Sequence, residues 1–97
     1  MTYDEFFLSI ETGELPHALP LYIQALWYDA KNNWAKAHSL IDSLDDRNSS
    51  WVHAYLHRKE GEISNADYWY GRAHKQRPAE NLQEEWKSIV LQLLLKS

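Results

Sequence analysis

Three side chains on one stretch of this chain have the types and the spacing to do chemistry. His53, His57 and Glu60 stand at i, i+4 and i+7. On a helix that spacing puts two imidazoles and a carboxylate on one face, within reach of a single metal ion. The stretch lacks the glutamate between two histidines that zinc proteases use, and it offers no nucleophile beside a base. Two readings of the pair stay open. In one, His53 and His57 lie on a solvated face, because Trp51, Val52, Tyr55 and Leu56 centre on the opposite side. In the other, which follows from the register of an internal repeat, both turn toward a neighbouring helix. Buried neutral imidazoles then need hydrogen-bond partners such as Tyr hydroxyls or Asp carboxylates.

Other candidates are weaker. His17, His38 and His74 are isolated in sequence and read as surface or helix-end residues, with His74 and Lys75 suited to a helix C-terminus. Asp42, Asp45 and Asp46 lack the ligand spacing and central glycine of a calcium loop. Tyr68-Trp69-Tyr70 sets three adjacent rings across about 200° of a helix, so at least one ring faces outward or into a groove where a sugar or peptide could stack. Glycine-rich phosphate loops, nucleophile elbows and dinucleotide fingerprints do not occur. With no cysteine, disulfides, thiolate catalysis and Cys-ligated zinc are excluded. No cofactor is expected.

The elements that must position these groups are helical. Thr2 caps a short first helix, anchored by Phe6, Phe7 and Ile10 and ended by Gly13. A second helix runs from Ala18 or Pro20 to about Lys31. Its residues Leu21, Tyr22, Ile23, Ala25, Leu26, Trp27, Tyr28 and Ala30 leave almost no polar face, which marks it as the centre of the core. Asn32-Asn33 breaks the chain, and a third helix covers Trp34 to Leu44. Asn48 or Ser49 caps a fourth, Ser50 to Glu60, which Gly61 stops. A fifth opens at Ser64 or Asn65 and reaches Lys75. The last, Glu80 to Lys96, carries the stripe Leu82, Trp86, Ile89, Val90, Leu93 and Leu94. Leu91 and Leu95 widen that stripe, which makes a homodimer through this helix an expectation.

Composition limits the function classes. A chain of 97 residues with 44% hydrophobic and 25% charged residues reads as one globular domain, residues 1–97. Five Trp, six Tyr and two Phe supply the large rings a small core needs, while three Gly and three Pro leave few turns for an all-β fold. The net charge is −4 and no basic run exceeds Arg58-Lys59, so the footprint of a nucleic-acid binder is missing. The first 30 residues carry no Lys or Arg and do not read as a targeting peptide. No run of about 18 apolar residues suggests a membrane span. The expectation is a cytoplasmic protein with neither membrane nor nucleic acid as partner.

An internal repeat appears when Ala25 is placed over Ala54. Ala37 then falls over Ala66, Asn32 over Gly61 and Lys36 over Asn65. Gly61, Ala66, Tyr70, Ala73 and Pro78, with Ala54, resemble the pattern of the tetratricopeptide repeat. In the first copy Ala25, Tyr28, Asn32 and Ala37 fit, whereas Ile41 and Leu44 replace an aromatic and an alanine. The spacing of 29 is shorter than that family's usual period of about 34. The stretch Trp51 to Ala73 also resembles a group of uncharacterised small bacterial proteins.

The resemblance implies antiparallel helical hairpins stacked as a short α-solenoid. Units would span about 19–48 and 49–78, with capping helices at about 2–12 and 80–96. It also implies a non-catalytic module that binds a peptide or protein on a concave face made by the first helix of each unit. Carried over by register, that face holds Tyr22, Leu26 and Asp29, then Trp51, Tyr55, Arg58 and Lys59. The Lys and Asn positions of the family's carboxylate clamp are Tyr22, Trp51, Leu26 and Tyr55, so the clamp itself is not supported. Tyr22, Asp29, Trp51, Tyr55 and Arg58 are the contact residues expected, and Tyr, Trp and Arg are the common hot-spot types. The competing expectation is a small-ligand or metal-binding protein, enzymatic in one version, that uses the His53/His57/Glu60 face.

Overall fold

In the computed structural model, which describes residues 1–95, six helices follow one another. They are α1 (Tyr3–Thr12), α2 (Leu21–Ala30), α3 (Trp34–Ile41), α4 (Arg47–Lys59), α5 (Ile63–Arg72) and α6 (Leu82–Leu95). No strand occurs among the described residues, and the class is all-α. Lys96, included in the expected last helix, lies outside them.

Local chemistry sets the helix ends. On α1, Glu5 N–H donates to Thr2 Oγ1 (3.1 Å) and Thr2 N–H donates to Glu5 Oε1 (2.8 Å), which satisfies two donors the helix leaves open. Several ends differ from the expected ones. Pro20 stands just outside α2 as its N-cap. α3 stops at Ile41 rather than Leu44. α4 starts at Arg47, not Ser50, because the Asp46 carboxylate and not Asn48 or Ser49 accepts the Ser49 N–H (3.0 Å). Ser49 and Ser50 are thereby drawn inside the helix and buried. α5 begins at Ile63 and ends at Arg72, short of Lys75. α6 begins behind a second reciprocal pair, in which Glu84 N–H donates to Asn81 Oδ1 (2.8 Å) and Asn81 N–H donates to Glu84 Oε1 (3.2 Å).

The offset of 29 residues reappears in the backbone. After α2, Asn32 is left-handed (φ 60°), with Asn32 N–H donating to Asp29 O and Asn33 N–H to Tyr28 O. After α4, Gly61 is left-handed (φ 79°), with Gly61 N–H donating to Arg58 O and Glu62 N–H to His57 O. The same capping turn therefore closes both first helices at matching positions, a C-terminal motif that uses glycine or asparagine because a β-carbon is unfavourable there. The aligned alanines Ala25, Ala54, Ala37 and Ala66 are all fully buried. With no side chain beyond Cβ, they suit the close packing of α3 on α2 and α5 on α4, the helix pairs in most extensive contact among the described residues.

Helices α1 and α6 complete the core. Phe6, Ile23, Leu26, Ile41, Leu56, Ile89 and Leu93 are fully buried in one cluster. Each such side chain contributes roughly 1.5–3 kcal/mol over exposure. Phe7, expected as an anchor, is instead 44% exposed. Indole N–H groups fasten the helices to one another. Trp27 Nε1 donates to Ser9 Oγ, Trp34 Nε1 to Leu56 O and Trp86 Nε1 to Leu26 O, at 2.9–3.0 Å. Leu91 and Leu95 are exposed on α6, whereas Trp86, Ile89, Val90 and Leu93 are used within the chain. No helix among the described residues is long and apolar enough to cross a membrane.

Candidate functional site

The face built by α2 and α4 is where the contact residues were expected, and α6 lies against it. Asp29, Trp51 and Tyr55 are buried, and Tyr22 is half-buried against the core. Asp29, 2% exposed, receives the Tyr55 hydroxyl (2.9 Å) on one carboxylate oxygen and the Lys59 ammonium (2.9 Å) on the other. Arg58 reaches across to α6, where Nη1 donates to Glu85 Oε1 (2.7 Å) and Nη2 donates to Glu80 O (2.6 Å). Tyr70 OH donates to the other oxygen of Glu85, which is 1% exposed. Burial and the partner carboxylates push both phenols, Tyr55 and Tyr70, far above the usual tyrosine range. At the far end of α4, the Lys75 ammonium sits 4.2 Å from the centroid of the Trp51 ring. Buried charges thus join α2 to α4 and α4 to α6, and the sequence reading missed Glu85. A trace of it was visible, since Glu85 stands at i+3 from Leu82 and i−4 from Ile89, on the apolar stripe itself.

What remains open of this face is a cleft of about 500 Å³ between α1, the ends of α2 and α4, and α6. Its walls are Tyr3, Phe7 and Trp86, its floor Asp29 and Tyr55, and Lys59 and Lys87 stand at its edge. The Lys87 ammonium lies 5.3 Å from the centroid of the Tyr3 ring. Among the described residues that line the cleft Asp29 is the one acid, and it is matched by Lys59; Lys87 also borders a neighbouring hollow that Asp4 and Glu11 line.

The histidines of α4 turn inward. His53 is 2% exposed and His57 7%, so the solvated-face reading is excluded. Their partners are neither tyrosines nor aspartates. His53 Nε2 lies 3.1 Å from His38 Nε2 on α3, and His57 Nδ1 lies 2.9 Å from Glu62 Oε1 in the turn after α4. His57 Nε2 faces the Asn65 amide at 3.5 Å. The third member of the group is therefore His38, read from sequence as an isolated residue, and not Glu60, which is exposed at the C-cap of α4. Two indoles wall the cluster. Trp34 stacks on His38 (4.8 Å, 7°) and Trp69 on His53 (4.0 Å, 16°). Burial first, then the neighbouring His57 and His38, push His53 down to about 4 against a weaker opposing pull from Asp42, so it is neutral at pH 7. Its Nδ1 is buried with no hydrogen-bond partner.

Of the aromatic triplet, Tyr68 is exposed, Trp69 packs on His53 and Tyr70 is buried. His17 and His74 are exposed. Asp46 serves as a helix cap, Asp45 lies 3.8 Å from Arg72, and Asp42 approaches His38 Nε2 at 3.6 Å. No family model, no curated protein and no solved structure matches this chain.

Proposed function

We propose that this protein is a non-catalytic interaction module, built of tetratricopeptide-like helical hairpins, that binds an extended peptide segment of a partner protein in the cleft between α1 and α6. The observation that carries this reading is the cleft itself: three aromatic walls with the ammonium groups of Lys59 and Lys87 at the mouth. Aromatic walls accept a large apolar side chain with little entropy cost of their own, and Lys87 favours an acidic residue beside it. The contact set differs from the one the repeat register implies. Asp29 and Tyr55 line the cleft, while Arg58 and Trp51 hold α6 and the α5–α6 loop.

A displayed random-peptide library panned on the protein tests this. Enriched peptides should pair an aromatic or large aliphatic residue with Asp or Glu. They should bind at least tenfold more weakly to a Phe7→Ala, Lys87→Glu variant whose circular dichroism is unchanged. Both positions are partly or fully solvated, so the fold tolerates the change. No enrichment, or equal binding to the variant, refutes the reading.

A further inference from the structure

We propose that His38, His53 and His57 bind one divalent transition-metal ion of the zinc class, which links α3 of one hairpin to α4 of the next. One ring nitrogen from each histidine lies within 4.8 Å of the other two. Three imidazoles tetrahedrally placed at 2.0–2.1 Å from zinc have nitrogens about 3.3 Å apart. The His38–His53 pair already stands at 3.1 Å. The two Nε2 atoms can share one proton or, both unprotonated, turn their lone pairs on one ion; His53 Nδ1 is buried without a partner in either arrangement.

The surroundings fit a metal in two further respects. Glu62 bonds His57 Nδ1, the carboxylate–histidine support common behind metal ligands, and leaves Nε2, which stands 3.5 Å from the Asn65 amide, as the nitrogen to bind the ion. Asp42 stands one helical turn beyond His38 with its carboxylate 3.6 Å from His38 Nε2, placed to complete four-coordination. Together Asp42 and Glu62 bring two negative charges to a divalent ion. His38 is the accessible ligand and the way in, since its side chain is 23% exposed while His53 and His57 are buried. The donor set of imidazole with carboxylate suits zinc and its neighbours in the first row, and does not suit calcium or magnesium.

The test begins with chelator-stripped protein titrated with zinc chloride at pH 7.5, with cobalt chloride as a visible-absorption probe of tetrahedral geometry. One ion per chain is expected. In the proton NMR spectrum the imidazole signals of His38, His53 and His57 should shift on zinc addition, while those of His17 and His74 do not. His38→Ala, the substitution least disruptive to packing, should weaken zinc binding at least tenfold, whereas Glu60→Gln should leave it unchanged. Zinc should also raise the melting temperature of the wild type and not of His38→Ala. Absence of stoichiometric zinc and cobalt binding by the folded wild type overturns the proposal, as does zinc binding confined to His17 or His74. Equal affinity in His38→Ala, or loss in Glu60→Gln, overturns it as well. The wild-type titration and its histidine shifts decide the matter even if a variant fails to fold.

Discussion

Glu85→Gln is the substitution whose cost can be worked most fully from the geometry. The carboxylate is 1% exposed and accepts from Arg58 at 2.7 Å and from the Tyr70 hydroxyl. Glutamine keeps an acceptor for Tyr70 and removes the charge that faces Arg58. The Arg58 side chain is only 16% exposed, so water compensates it poorly. Breaking a buried pair from one side costs roughly 3–5 kcal/mol. Arg58 keeps its bond to Glu80 O and some solvent, which brings the cost below that range, to about 2–3 kcal/mol. For a domain of this length that is roughly 10–20 °C in melting temperature. The assay is urea unfolding followed by tryptophan fluorescence for wild type, Glu85→Gln, Arg58→Met and the double variant. The coupling energy from this cycle should be about 2 kcal/mol. The exposed pair Arg77–Asp67, at a similar 2.9 Å but with both side chains more than 40% exposed, should show below about 1 kcal/mol in the same cycle. A Glu85–Arg58 coupling no larger than that of the surface pair refutes the argument that burial, and not distance, sets the worth of this contact.

Two further outcomes follow from the same structure. Tyr55 and Tyr70 are raised above the ordinary tyrosine value of about 10, so the folded chain keeps protons that the unfolded chain loses. Their contribution is fully present below pH 10, and stability should fall above it by up to about 2.7 kcal/mol per pH unit for the two groups together. Urea midpoints at pH 9 and pH 11 read this directly, and equal midpoints exclude it. Gly61→Ala should cost about 1 kcal/mol in thermal unfolding, from strain at φ 79° and not from a clash, since nothing lies within 4 Å of the added carbon. Gly71→Ala, at a helical φ with equally open space, should be neutral or stabilising, and a reversal of this order contradicts the conformational account.

Much of the architecture was legible because it is written in local terms. Thr2, Gly13, Asn32, Gly61 and the alanines at matching offsets act within one or two helical turns, so types and spacing alone announce the helices and the repeated turn. Missed ends had a local cause too: Asp46 outcompeted Asn48 and Ser49 as a cap, a choice between near-equal side chains that small energies decide.

The sites were legible only in part, and the reason is distance along the chain. Spacing placed His53 and His57 on one face but offered Glu60 as their companion, since Glu60 shares the helix. His38 joins them from 15 residues away, because α3 folds back onto α4 and aims its ring at theirs. Likewise Arg58 pairs with Glu85, 27 residues on, and α6 occupies much of the face that the repeat register left for a partner. Periodicity determined by itself that the chain would be helical, and it marked most of the apolar residues of the core and the approximate places of the turns. Only the packing of helices remote in sequence decided which polar groups meet, because no rule of spacing reaches across a loop whose direction is set by the core as a whole.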